Sequence, residues 1–184
     1  MRYSMTKIIL RTLTILVLSV SVMPAQASST EEAGKYVAFA LPVAAAGITA
    51  WKEDWQGTAQ LGFSTLLTVG TAYGLKHVVR EKRPDGLDFK SFPSDTAALA
   101  FAPAQFLMQR YGWEYGLPAY AAAGFVGYSR VEADRHHWYD VAASAALSFG
   151  FNYFITSKYQ RKPWFNAGIE MQPGGGMIGM TCVF

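Results

Sequence analysis

Lys76 and Arg83 are separated by six residues, Ser94 follows Pro93, five residues lie between Arg130 and His136, and three between His136 and Asp140. These residue types, so spaced, suit the holding of an anion beside a titratable imidazole. Lysine and arginine supply positive charge, and arginine grips oxyanions with two parallel N–H donors. Ser94, with the backbone N–H groups of a helix starting behind it, can hold a further oxygen. Asp140 lies four residues past His136, one helical turn, so its carboxylate is expected to accept an imidazole N–H and fix the tautomer.

These residues fall in three polar segments, 76–84, 91–96 and 129–140, and all three histidines lie in the first and last of them. Between them charge is scarce. Only 16% of the 184 residues are charged while 51% are apolar, against about 25% charged in an average soluble domain. That composition excludes disorder, a coiled coil and a highly charged nucleic-acid binder. The net charge is only +3, so its cations matter where they cluster.

Uncharged runs cover 36–51, 55–75, 96–109, 115–129 and 141–157. A surface helix of a soluble protein carries charges on its outer face, and these runs have none to place. Small residues dominate them, which favours close-packed helices over strands. Pro42, Gly62, Pro103 and Gly124 would be costly in exposed soluble helices and are commoner in membrane spans. The expected fold is all-α, a single bundle of about five membrane-embedded helices over residues 28–162; the competing reading is a compact soluble bundle. If the runs alternate across a membrane, the three polar segments share one face. The positive-inside tendency disfavours that many cations on an outer face unless they hold an anion. Arg80, Lys82 and Arg135 read as interfacial anchors, His137 as packed or solvated, and Trp55, Trp113 and Trp138 as belt residues.

Arg2, Lys7 and Arg11, an apolar stretch over 12–22 and Ala25-Gln26-Ala27 read as a secretory signal peptide over 1–27; the alternative is an uncleaved first membrane helix. The tail, 163–184, has a turn cluster from Pro173 to Gly176 between FNAGIEM and MIGMTCVF, which reads as a short β-hairpin. The lone Cys182 rules out an internal disulfide and any cysteine-based zinc site.

The pattern Lys76-(six residues)-Arg83-Pro84, the Pro93-Ser94 step and Ser129-Arg130-(five residues)-His136-(three residues)-Asp140 resemble the type-2 phosphatidate phosphatase superfamily. That group includes bacterial acid phosphatases, lipid phosphatases and vanadium haloperoxidases, and the likeness covers about residues 35–157. The resemblance implies a phosphatase in which His136 is the nucleophile, forming a phosphohistidine that water resolves. Lys76, Arg83, Ser94 and Arg130 would bind the phosphate, and Asp140 would orient His136. No cofactor or metal is implied, because the cations take that part. The implied substrate is a lipid phosphate or diphosphate, of phosphatidate, prenyl diphosphate or lipid A type, met at the periplasmic face of a bacterial inner membrane. No nucleic acid is implied as a partner.

The second motif departs from the family, which has Pro-Ser-Gly-His where this chain has Pro93-Ser94-Asp95-Thr96. The family's histidine there is the expected general acid. Thr96, aligned without a gap, cannot protonate a leaving oxygen at neutral pH. Asp95, aligned with a one-residue deletion, could do so if its pKa were raised, though Arg83 or Lys90 would undo that. Weak acid catalysis tilts the expectation towards diphosphates, whose leaving group needs a proton least. The other readings are a silent relative that binds phosphorylated lipid or a partner protein, and a soluble periplasmic acid phosphatase.

Overall fold

The computed structural model describes residues 30–86 and 88–160, and the backbone of 165–172 and 175–182. The expected signal peptide lies outside the described residues. Among the described residues five helices form, one for each uncharged run: α1 (Thr30–Trp51), α2 (Trp55–Val78), α3 (Asp95–Tyr111), α4 (Trp113–Glu132) and α5 (Trp138–Ile155). Each extends past its run by a few residues, and those extensions carry the charges.

Local chemistry sets the ends. Asp54 caps α2, its Oδ1 accepting the Gly57 N–H at 2.9 Å, and Ser94 caps α3 by accepting the Ala97 N–H at 3.3 Å. Such caps satisfy backbone donors that a helix start leaves open. Gly112 alone joins α3 to α4 at φ 92° and ψ −173°, a conformation open in practice only to glycine.

Helix α3 is the centre of the bundle and packs against the other four. Its interior is made of small residues: Ala97, Ala98, Ala100, Ala102 and Ala104 are fully buried, and Ala38, Ala45, Ala119 and Ala123 face them from α1 and α4. Phe106 and Val126 are the largest fully buried apolar side chains. The bulky residues are outside, with Phe39, Trp51, Trp55, Leu66, Trp113 and Phe154 all more than half exposed. Small inside and large outside inverts the usual arrangement of a water-soluble core. Among the described residues α1 is the one helix both long and apolar enough to cross a membrane, not the five expected. Helix α3, at 17 residues, is too short for that, and glycine, serine and tyrosine lower the mean hydropathy of the rest.

A polar seam joins α3 to α5. Asp140, Ser144, Ser148 and Asn152 recur every fourth residue of α5, each fully buried, and Thr156 continues the row. Ser144 donates to the Ser94 carbonyl at 2.7 Å and Asn152 to the Ala102 carbonyl at 3.2 Å. Gln109 donates to the Thr156 carbonyl at 2.8 Å. The partners keep step along the chain, so the two helices run parallel.

Beyond the helices, β1 (Phe165–Gln172) pairs antiparallel with β2 (Gly175–Cys182), Phe165 opposite Cys182 and Gln172 opposite Gly175. The hairpin expected from sequence forms. Its second strand starts at Gly175, so two residues assigned to the turn belong to the ladder.

Candidate active site

The three polar segments converge at one end of the bundle. Lys76 sits in the last turn of α2, buried along its length, and its Nζ lies 2.8 Å from Asp95 Oδ1. Thr96 donates its backbone N–H to the same carboxylate oxygen at 3.0 Å. Asp95 is thus an anion held by a lysine and a helix start, the seat foreseen for a phosphate oxygen. Burial opposes its ionisation, but the hydrogen bond and charge of Lys76 outweigh that and hold the carboxyl below its ordinary range. An acid catalyst needs the opposite shift, so the protein without substrate does not carry the raised Asp95 pKa considered above. The cation responsible is Lys76, not Arg83 or Lys90.

His136 is buried in the α4–α5 connection. Its N–H and that of Arg135 both donate to the Arg130 carbonyl, at 3.2 and 3.1 Å, as the chain turns through Asp134 at φ 53°. The imidazole Nδ1 lies 2.7 Å from the Ser91 carbonyl oxygen. A carbonyl only accepts, so Nδ1 carries a proton, and in the neutral ring Nε2 keeps its lone pair. Nε2 has no hydrogen-bond partner among the described residues.

Asp140 does not make the direct bond expected of it. Its Oδ2 is 3.7 Å from His136 Nδ1, beyond hydrogen-bond length. That oxygen accepts instead from Ser91 Oγ at 2.5 Å and from the His137 N–H at 2.8 Å. The reason is local: α5 begins at Trp138, so His136 stands before the helix and the one-turn argument does not reach it. Burial works against ionisation of Asp140, but the contacts of His136, Ser91 and the His137 N–H prevail and lower its pKa.

Arg130 is buried at the end of α4. Its guanidinium donates to the Glu31 carbonyl, and its Nη1 lies 3.6 Å from the Glu31 carboxylate. Burial pushes its pKa down, as does the charge of Arg135, while Glu31 and Asp95 push the other way. Glu31 also pairs with Lys35 at 2.8 Å and Arg135 at 3.4 Å. Helix α1 approaches closely enough that a Cβ on Gly34 would fall 1.8 Å from Ser129 Oγ. Arg135 bridges Glu31 to Asp85, at 3.2 Å from the latter, and so is more than an interfacial anchor.

Arg83 pairs with Asp88 of its own loop at 2.9 Å, and no contact among the described residues joins its side chain to the other site residues. The Ser94 hydroxyl is occupied as the α3 cap. Sequence spacing therefore brought together Lys76, Asp95, Ser94, Arg130, His136 and Asp140, and left Arg83 to one side. It missed Ser91, Glu31 and Asp88. The first two act through tertiary contact alone, and a lone serine or glutamate carries no spacing signal.

At the far end, Asp54 grips Arg110 through two bonds of 2.5 Å and accepts the Tyr111 hydroxyl at 2.6 Å. Lys52 lies over the rings of Tyr111 and Tyr115, at 5.3 and 4.8 Å from their centres.

Comparison with known proteins agrees with the geometry. The PAP2 superfamily pattern matches residues 57–164. A lipid A 4'-phosphatase of Helicobacter pylori is 34% identical over 145 residues, 73% of each chain. A lipid A 1-phosphatase of Porphyromonas gingivalis is 33% identical over 100 residues, 42% of this chain and 22% of that protein. The crystal structure of Aquifex aeolicus LpxE shares the fold, with a TM-score of 0.52 at 19% identity over 65% of this chain and 83% of its own. With that coverage and those motif positions, the chain belongs to the PAP2 superfamily and is a phosphatase of the PAP2 type, homologous to lipid A phosphatases.

Proposed function

We propose that the protein removes a phosphate group from the saccharide headgroup of lipid A at the periplasmic face of the inner membrane, through a phosphohistidine on His136. The observation that carries the chemistry is the imidazole whose Nδ1 is committed to the Ser91 carbonyl at 2.7 Å, which leaves Nε2 to attack. The substrate class is supported by the 34% identity to a lipid A 4'-phosphatase across 73% of both chains. The membrane setting is supported by the apolar, aromatic exterior around an alanine interior, which favours lipid over a soluble periplasmic enzyme. In this reading 1–27 is a signal peptide, 28–162 the catalytic domain and 163–184 an appended hairpin.

The phosphate docks against Lys76 and Arg130, displacing Asp95 from the lysine and loosening Glu31 from the arginine; Arg83 turns from Asp88 to the outer oxygens. His136 Nε2 attacks phosphorus in line, forming N–P as the P–O bond to the sugar breaks. Asp95, deprived of its cation beside a dianion, takes up a proton and passes it to the departing oxygen. Water then attacks phosphorus, giving up a proton to the Asp95 carboxylate as the O–P bond forms and the N–P bond breaks, which returns neutral His136 and free phosphate. Asp140 and the Ser91 carbonyl hold the ring while it bears positive charge.

The test is phosphate release by the purified protein from lipid A bearing the 1- or the 4'-phosphate, from phosphatidate and from a prenyl diphosphate. Release from lipid A that is abolished by His136→Ala is expected. Turnover confined to phosphatidate or prenyl diphosphate would overturn the substrate, and turnover surviving in His136→Ala would overturn the mechanism.

A further inference from the structure

Ser91 lies outside the three motifs, yet it is the residue through which two of them meet. It is fully buried. Its N–H donates to the Glu81 carbonyl at 3.0 Å, which ties it to the loop after α2. Its carbonyl accepts from His136 Nδ1 at 2.7 Å, and its hydroxyl donates to Asp140 Oδ2 at 2.5 Å. The same hydroxyl is 3.4 Å from His137 Nδ1. Asp140 stays 3.7 Å from the His136 ring, and its Oδ1 is buried without a partner.

We propose, resting on the reading of His136 as the nucleophile, that Ser91 is its positioning residue: the Ser91 carbonyl accepts the hydrogen bond of the Nδ1–H, and Asp140 acts on the imidazole through the Ser91 hydroxyl. The carbonyl forces the tautomer, because a proton on Nε2 would leave two lone pairs facing each other across the same gap. The carboxylate pins Ser91 on one side of the ring and the His137 N–H on the other. It therefore fixes where Nε2 points without bonding the ring itself. The positive charge that the ring gains on phosphorylation meets the carbonyl dipole first and the carboxylate behind it.

Two measurements on the full-length protein in detergent test this. The first is the nitrogen NMR spectrum of protein labelled at its three histidines, with His136 assigned by loss of its signal in His136→Ala. A proton on Nδ1 is expected, and a proton on Nε2 would overturn the proposal. The second is the pH dependence of Ser91→Ala, which keeps the carbonyl and removes the hydroxyl. Its kcat should fall roughly 10- to 100-fold with KM little changed, the size expected from losing one hydrogen bond to a charged group. The acid limb of the profile should move to higher pH, because the freed carboxylate can close on the ring and favour its protonated form. Ser91→Thr should restore the profile, and Ser91→Ala combined with Asp140→Asn should cost no more than the worse single change. An unshifted profile in a folded Ser91→Ala protein, or additive losses in the pair, would overturn the proposal. Because His136→Ala is assayed alongside, loss of the nucleophile reading is distinguishable from loss of the Ser91 role.

Discussion

The carboxylate of Asp95 rests 2.8 Å from the ammonium of Lys76, so the cation that opens the first family motif is occupied by the residue that breaks the second. Arg130 and Arg83 are held in the same way by Glu31 and Asp88. The cations of the candidate site are therefore neutralised from within, and in the proposed reaction a phosphate would exchange one set of ion pairs for another.

Asp95→Asn separates the two parts assigned to this residue. Removing the competing charge should tighten inhibition by inorganic phosphate severalfold, while loss of the proton donor should lower kcat on lipid A by ~10²–10⁴ and remove the basic limb of its pH profile. Steady-state kinetics from pH 5 to 9 would show both. An unchanged kcat would remove Asp95 from the chemistry.

Restoring the family pattern with Asp95→Gly and Thr96→His should raise kcat on monoesters and change diphosphates less, because a phosphate leaving group departs without a proton. The glycine costs about 1 kcal/mol of helix stability at the start of α3, so rates are compared per folded molecule. A ratio between the two substrate classes that does not move would refute the leaving-group argument.

The far end of the bundle makes a pH prediction. Burial opposes ionisation of Asp54, yet the hydrogen bonds of Arg110, Tyr111 and the Gly57 N–H bring its pKa from 3.8 down to about 2. A carboxyl depressed in the folded state adds stability that is fully present above its unfolded pKa and lost as pH falls towards the folded one. Thermal stability in detergent should thus decline between about pH 4 and pH 2, and Asp54→Asn should flatten that decline. The same change should cost about 3–5 kcal/mol at neutral pH by leaving Arg110 buried without its partner.

Two glycines of α4 should behave oppositely. A Cβ on Gly116 would lie 2.5 Å from the Met108 Cα, whereas one on Gly124 meets nothing within 4 Å. Gly116→Ala should destabilise by about 1–3 kcal/mol as α3 and α4 are forced apart. Gly124→Ala should be neutral or stabilising by up to about 1 kcal/mol, and melting of the two variants side by side gives the comparison.

Membrane placement is checked by topology. Reporter fusions after Lys82 and after Arg110 should report opposite sides, the first periplasmic. The same side for both would refute alternating spans.

Much of the fold was legible because absence is a signal: a run such as 141–157 has no charge to place on an outer face, which pointed to a close-packed helix, and one forms there. The cations were legible because motif spacing puts them at run edges. What sequence could not show was which neighbour each charge would take. Asp140 was expected on His136 by counting residues along a helix that starts only at Trp138, so its carboxylate served the helix start and Ser91 instead. Glu31 reaches Arg130 from almost a hundred residues away, and no local pattern marks such a contact. The serines and threonines inside the uncharged runs were equally silent in sequence about their partners, which are carbonyls inside the bundle, as Thr68 donates to the Ser64 carbonyl at 2.7 Å.

The seam between α3 and α5 decides which parts of the enzyme can yield. Ser144, Asn152 and Gln109 lock the two helices at three heights, and sliding by one residue would break all three bonds together. His136 and Asp140 at the head of α5 are therefore fixed against Ser94 and Asp95 at the head of α3, like the anvil of a vice. The opposite side, with the loop of Arg83 and the first turn of α1, is held by the ion pairs of Glu31, Asp85 and Asp88 and by single backbone bonds, Arg130 to the Glu31 carbonyl and the Asp85 N–H to the Asp134 carbonyl. If the proposed headgroup enters from that side, those ion pairs exchange while the seam keeps His136 in register with Ser94 and Asp95.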